Sequence, residues 1–263
     1  PSRNRCSCSG KLLMSVAELR QEHINFQANL YESNNPTRRW LHNVRRNWVM
    51  RALDQVSPSQ AHFYEIGIGC GIYTNLMAQR GKVFAVDINP AFVDAANSIQ
   101  NVAAQVADIT QNSFAPAHDV ALCSEVLEHV PDSASALKNI FTSLKPGGYL
   151  ILTTPNSYST VELTARLLSY GPVVKLARMV YGESVDDLGH INRMTRCQLR
   201  AQIDTAGFEV IRQENIAFYL PVVAEFFGET GTKICQWFAS RLEGTRLAGL
   251  LWTQCWVLRR PQA

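Results

Sequence analysis

Between Val16 and Val56 apolar residues punctuate a charged and polar background at Leu19, Ile24, Phe26, Leu30, Trp40, Leu41, Val44, Trp48, Val49 and Leu53, a spacing that suits amphipathic helices. Ser57-Pro58-Ser59 ends that pattern. Short apolar runs then alternate with helical stretches. The pattern predicts strands over His62–Ile66, Val83–Val86, Val102–Ala107, Val120–Cys123 and Tyr149–Thr153, and helices over Ile72–Gln79, Pro90–Ala96 and Ser133–Leu144. Strands separated by helices at this rhythm are βαβ units, and they imply a doubly wound, mainly parallel α/β sheet.

The second half departs from the rhythm. Tyr158–Tyr181 is apolar, dotted with Arg and Lys and interrupted by Gly171-Pro172, and reads as an inserted helical cap. A helix beginning at Thr195 stops at Gly207 and leads into a strand over Phe208–Arg212. An aromatic-rich stretch, Phe218–Phe238, precedes a last strand over Leu250–Leu258, which brings the expected sheet to seven strands. The expected organisation is an N-terminal extension and helical region over 1–56 and one α/β domain over 57–263, with the substrate cap at 157–194.

A hydrophobic fraction of 46% with 18% charged residues is ordinary globular composition and excludes a disordered or fibrous chain. The seven cysteines contain no CxxC pair, which argues against a disulfide framework or a zinc ribbon and fits a reducing cytosol. Pro1–Gly10 is polar, unlike a secretory signal, and Met14 is a candidate initiator. No apolar run reaches the roughly 18 to 20 residues of a bilayer span. The expected location is cytoplasmic, with peripheral membrane contact left open.

A net charge of +3 is too small for a nucleic-acid footprint. Arg38, Arg39, Arg45 and Arg46 could grip a phosphate through their guanidinium forks or form a solvated helix face, and both readings stay open.

The strongest chemical signal is Phe63-Tyr-Glu-Ile-Gly-Ile-Gly-Cys-Gly71, a strand entering three alternate glycines and then a helix. Glycines at such a turn accept positive φ and let a ligand approach the backbone. Val83-Phe-Ala-Val-Asp87 follows, with its carboxylate 87 − 67 = 20 positions past the first glycine, where a second strand delivers an acid to ribose hydroxyls. A dinucleotide fingerprint would need glycine at 72, which is Ile72, so pyrophosphate binding is disfavoured.

The Gly-x-Gly-x-Gly spelling, the preceding Glu65, Asp87 and the Val106-Ala-Asp-Ile109 segment together resemble class I S-adenosylmethionine-dependent methyltransferases. These have a Rossmann-like doubly wound fold. The resemblance runs from about Phe63 to Arg212. It implies that Gly67, Gly69 and Gly71 line the methionine and ribose part of the ligand and that Asp87 accepts from the ribose hydroxyls. Asp108 would receive the adenine amino group, with Ile88 and Ile109 around the ring, and Glu65 and Ser124 would complete the cofactor set.

On the acceptor side, Asp119–Asp132 and Leu144–Asn156 are worded like the fourth and fifth strands of small-molecule methyltransferases, the ubiquinone-biosynthesis O-methyltransferases in particular. Lys145-Pro-Gly-Gly148 reads as a structural turn. If the stretch after Ser124 is helical, Glu125, Glu128 and His129 share one face, and His190, 190 − 129 = 61 positions downstream, is a candidate fourth ligand. A similar Glu-x-x-Glu-His with a distant His holds a divalent ion in small-RNA 3′-terminal 2′-O-methyltransferases. Such a set suits Mg²⁺ or Mn²⁺ and would activate a catechol or vicinal diol.

The metal-free alternative makes His129 or His190 a general base. The expected activity is O-methylation of a small, fairly apolar hydroxylated metabolite. An N-methyltransferase, or a non-catalytic module that only binds S-adenosylmethionine, are the alternatives.

Overall fold

The computed structural model describes residues 31–160, 163 and 192–262. Seven strands, β1 (Ala61–Ile66), β2 (Gly81–Asp87), β3 (Val102–Val106), β4 (His118–Ser124), β5 (Leu144–Pro155), β6 (Glu209–Ile216) and β7 (Thr253–Arg259), form one sheet. Their order is β3-β2-β1-β4-β5-β7-β6, with β7 antiparallel to both neighbours and the other described pairings parallel. This is the doubly wound, mainly parallel architecture expected from the strand–helix rhythm, and it agrees with the fold that the resemblance implies.

Both faces of the sheet are covered, which is why its strands read as near-continuous apolar runs. Phe63, Val120, Leu122, Ile151 and Val257 pack toward α1 (Pro36–Val56), α2 (Ile72–Ala78) and α3 (Pro90–Ala96). Their neighbours Tyr64, Ala121, Cys123, Leu150, Leu152 and Trp256 pack toward α4 (Ser133–Ser143) and α5 (Arg196–Ala206). The division follows the two-residue period of a strand.

The helix ends follow local chemistry. Asn35 Oδ1 accepts from the backbone N–H groups of Thr37 and Arg38, both at 3.0 Å, and Pro36 occupies the first turn of α1. Thr195 and Gln198 make a reciprocal capping box on α5, and Gly207 closes that helix at φ +95°. Beyond β6 lie α6 (Pro221–Phe226), α7 (Gly228–Leu242) and a 3-10 turn at Arg246–Leu250.

Two boundaries differ from expectation. β5 begins at Leu144, so Lys145-Pro-Gly-Gly is a bulged strand entry: at Gly148 a Cβ would stand 2.9, 3.1 and 3.2 Å from the carbonyl oxygens of Lys145, Asp119 and His118. The last strand begins at Thr253 because the preceding apolar residues form the 3-10 turn, capped by Thr245. The expected cap at 157–194 lies largely outside the described residues.

Candidate active site

The sheet changes direction between β1 and β4, the switch point at whose carboxyl ends open α/β sheets bind ligands. A cleft of about 390 Å³ opens there. Gly67 and Gly69 after β1, Asp87 at the end of β2 with Ile88 after it, Asp108 and Ile109 after β3, and Ser124 at the end of β4 with Glu125 and His129 after it all line it. Four strand ends thus bring most of the sequence-derived site residues together.

Gly67, Gly69 and Gly71 adopt φ values of +78°, +54° and +74°. At Gly67 a Cβ would also collide with Val126 Cγ2, so backbone conformation and space both disfavour a side chain there. Gly71 does not line the cleft and instead sets the left-handed N-cap of α2.

Asp87 makes contacts that the sequence did not reveal. Its Oδ2 accepts from the N–H of Ile68 at 2.8 Å and of Gly69 at 3.4 Å, while Oδ1 accepts from Asn89 N at 2.8 Å. The carboxylate therefore braces the glycine loop as well as standing at the strand end. Asp108 does likewise for its own turn: Oδ1 accepts from Thr110 N and Oγ1, and Oδ2 from Gln111 Nε2 at 3.0 Å. Of the pair expected around adenine, Ile88 is 74% exposed and Ile109 is buried.

Glu65 is not at the cleft surface. It is buried under the loop, where Thr74 Oγ1 of α2 donates to its Oε2 at 2.6 Å. Burial is the main cause that pushes its carboxyl up to about 8, with Thr74 opposing and the Asp87 charge reinforcing the shift.

The condition for a shared face, a helix after Ser124, is not met. Glu125 occupies a bend at φ +58°, and Leu127–His129 is a turn. The expected carboxylate–imidazole face is consequently dispersed. Glu125 Oε2 pairs with Arg45 Nη1 at 2.7 Å, and its Oε1 accepts from Thr153 Oγ1 at 3.1 Å. Glu128 is buried and accepts from Thr154 Oγ1 at 3.0 Å; burial, then the Glu125 charge, pushes its carboxyl well above the ordinary range. His129 Nε2 stands 4.0 Å from Glu128 Oε1. Among the described residues no three His, Cys, Asp or Glu side chains group to hold a metal, and His190 lies outside them. Asn192 N donates to Glu128 O at 3.0 Å.

Part of the lining comes from the N-terminal helical region, which the sequence reading linked to a ligand only through the open phosphate alternative. Tyr31, His42 and Arg45 line the cleft together with Tyr73. Arg45 lies 5.3 Å over the Trp252 ring, and its Nη2 is 3.2 Å from His42 Nδ1. Burial works against the Arg45 charge, but Glu125 and the two tyrosines more than offset it and raise its pKa. Burial, Arg45 and Arg38 push His42 down to about 3, so its imidazole is neutral. The four arginines do not form one patch: Arg45 turns inward, whereas Arg39 faces Glu229 at 3.6 Å.

The residues present fit S-adenosylmethionine. The cleft has the volume of a small-ligand site, its glycine turn leaves no side chain in the way, and carboxylates stand at the ends of β2 and β3 beside apolar walls. These features define a class I S-adenosylmethionine-dependent methyltransferase. A methyltransferase-domain family model matches residues 34–213, and the chain belongs to that family.

Curated relatives include ubiquinone biosynthesis O-methyltransferases from Pseudomonas aeruginosa, 35% identical over 121 residues (43% of this chain, 51% of the relative), and Pseudomonas entomophila, 33% identical over 130 residues (46% and 55%). The chain spans about half the length of the curated relatives it matches. Among solved structures it is similar in fold to the N-methyltransferase NodS of Bradyrhizobium japonicum in complex with S-adenosylhomocysteine, at TM-score 0.55 and 16% identity over 93% of this chain and 97% of that one. It is similar also to an S-adenosylmethionine-dependent methyltransferase of Mesorhizobium loti, at TM-score 0.54 and 17% identity over 80% and 96%.

Proposed function

We propose that the chain methylates a hydroxyl of a small, fairly apolar metabolite, with a catechol or vicinal diol as the substrate class. One observation carries this reading: the glycine loop, Asp87, Asp108 and the His129 imidazole line the same cleft. S-adenosylmethionine, when bound, supplies a methyl group made electrophilic by its sulfonium charge. Gly67 and Gly69 let the ligand approach their backbone, Asp87 accepts from the ribose hydroxyls, and Asp108 with Ile88 and Ile109 selects the base.

His129, 45% exposed at the side chain, is the proton acceptor for the substrate hydroxyl, with Glu128 Oε1 4.0 Å from its Nε2. Glu125 is committed to Arg45, so this reading requires no Mg²⁺ or Mn²⁺. The names of the curated relatives favour oxygen over nitrogen as the acceptor atom.

The test is turnover of a catechol panel with labelled S-adenosylmethionine, with and without chelator, for the native chain and His129→Ala. Chelator-insensitive turnover that falls by about a hundredfold or more in the variant, with unchanged cofactor affinity, supports the reading. Loss on chelation with recovery on Mg²⁺ would replace the base mechanism with a metal-assisted one. Undiminished turnover in His129→Ala would remove His129 from the mechanism.

A further inference from the structure

His129 lies on a short stretch between two anchored segments. Upstream, Glu125 N donates to Thr153 O of β5 at 2.9 Å, and Leu127 is buried in the core cluster that holds Met194 and Leu199. Downstream, Asp132 Oδ1 accepts from Ser135 N at 2.9 Å and caps α4. Glu128, His129, Val130 and Pro131 between them belong to neither helix nor strand.

The two carbonyls that flank His129 accept from one residue. Asn192 N donates to Glu128 O at 3.0 Å, and Asn192 Nδ2 donates to Val130 O at 3.4 Å. The same Nδ2 donates to Oγ of Ser133, the first residue of α4, at 2.8 Å. An amide nitrogen carries two protons, so it can serve both acceptors. The contact to Val130 is long, and those to Glu128 and Ser133 are of ordinary length. Asn192 stands 192 − 129 = 63 positions downstream, so this bracket is a tertiary contact and no part of the turn itself.

Asn192 is held in turn. Ser133 Oγ donates to Gln202 Oε1 of α5 at 2.7 Å. Two residues beyond Asn192, the carbonyl of the buried Met194 accepts from Nε2 of the buried Gln254 on β7 at 2.9 Å. The bracket therefore joins the His129 stretch to α4, α5 and the sheet.

His129, 45% exposed at the side chain, is not fixed by burial, and its ring stands where its backbone carries it. Proton transfer needs a ring nitrogen within about 2.6 to 3.2 Å of the reacting hydroxyl. A misplacement of about 1 Å can cost on the order of a hundredfold in rate.

We propose that Asn192 is the positioning residue for His129, its bracket on Glu128 and Val130 setting where the imidazole stands in the cleft. The inference rests on the reading of His129 as the proton acceptor.

The test is turnover on the catechol panel for the native chain, His129→Ala, Asn192→Ala, Asn192→Asp and the double variant Asn192→Asp/His129→Ala. Aspartate has the size of asparagine but, when ionised, offers Val130 and Ser133 no proton. Both single Asn192 variants should lose about tenfold to a hundredfold in kcat, while KM, S-adenosylhomocysteine affinity and melting temperature stay near native values. The double variant should be no slower than His129→Ala, because without the imidazole the bracket has nothing to place. Should Asn192→Ala fail to fold, the isosteric Asn192→Asp carries the comparison.

A double variant slower than His129→Ala, or a loss of melting temperature and cofactor affinity that accounts for the lost rate, would assign Asn192 a merely structural role and overturn the proposal. So would native kcat in Asn192→Asp beside a damaged His129→Ala, which leaves the base reading intact. Undiminished turnover in His129→Ala would instead remove the base reading, and this inference with it.

Discussion

Arg45 Nη1 and Glu125 Oε2 lie 2.7 Å apart, joining the N-terminal helix to the bend that follows the fourth strand. The arginine is buried and the glutamate mostly so, and the pair fixes a residue at φ +58°. Breaking such a pair from one side leaves an uncompensated charge in a poorly solvated place. Arg45→Ala is therefore expected to cost about 3 to 5 kcal/mol of folding stability. Arg45→Met combined with Glu125→Gln should cost clearly less, because no charge is stranded. Urea unfolding of the three proteins checks this, and equal losses for the single and double variants would contradict it.

Asp87→Ala should weaken binding of S-adenosylhomocysteine by about tenfold to a hundredfold or more, since a charge-assisted hydrogen bond contributes roughly 1.5 to 3 kcal/mol. The loop contacts at Ile68 and Gly69 predict something further: Asp87→Asn, which keeps acceptor capacity but not charge, should fall between the native chain and the alanine variant. Calorimetric titration reads both.

Glu65 gives the stability a pH dependence of definite sign. Its folded pKa is about 8 against an ordinary 4.5, so between those values the unfolded chain releases a proton that the folded chain keeps. The associated stability is full below about 4.5 and is lost as pH rises through about 8. Glu65→Gln stays neutral and should flatten the decline of the unfolding midpoint between about pH 5 and pH 8. An identical slope in both proteins would contradict the assignment.

Most of the fold, and the gathering of the glycine loop and the strand-end acids around one cleft, were legible because their signals are local. A glycine run after a strand and an acid 87 − 67 = 20 positions later are enough to bring Gly67 and Asp87 to one cleft. Two-sided burial shows in the strands themselves. The acceptor half was less legible because it depends on long-range pairing. The i, i+3, i+4 spacing of Glu125, Glu128 and His129 would make one face only in a helix, but Glu125 stands in a bend and pairs with Arg45 from a distant segment. One signal was available: Arg45 occupies the same helical stripe as Leu41, Trp48, Val49 and Ala52, all buried. A cation on an apolar stripe announces a buried partner, and the neighbouring arginines at 38, 39 and 46 disguised it as part of a surface cluster.

Equal-molar appearance of S-adenosylhomocysteine and an O-methylated acceptor, followed by mass spectrometry in the presence of chelator, tests the central claim most directly. The account predicts that the two products accumulate together on at least one catechol or vicinal diol. A chain that binds S-adenosylhomocysteine with ordinary affinity yet methylates only amines, or methylates nothing across that panel, would contradict it.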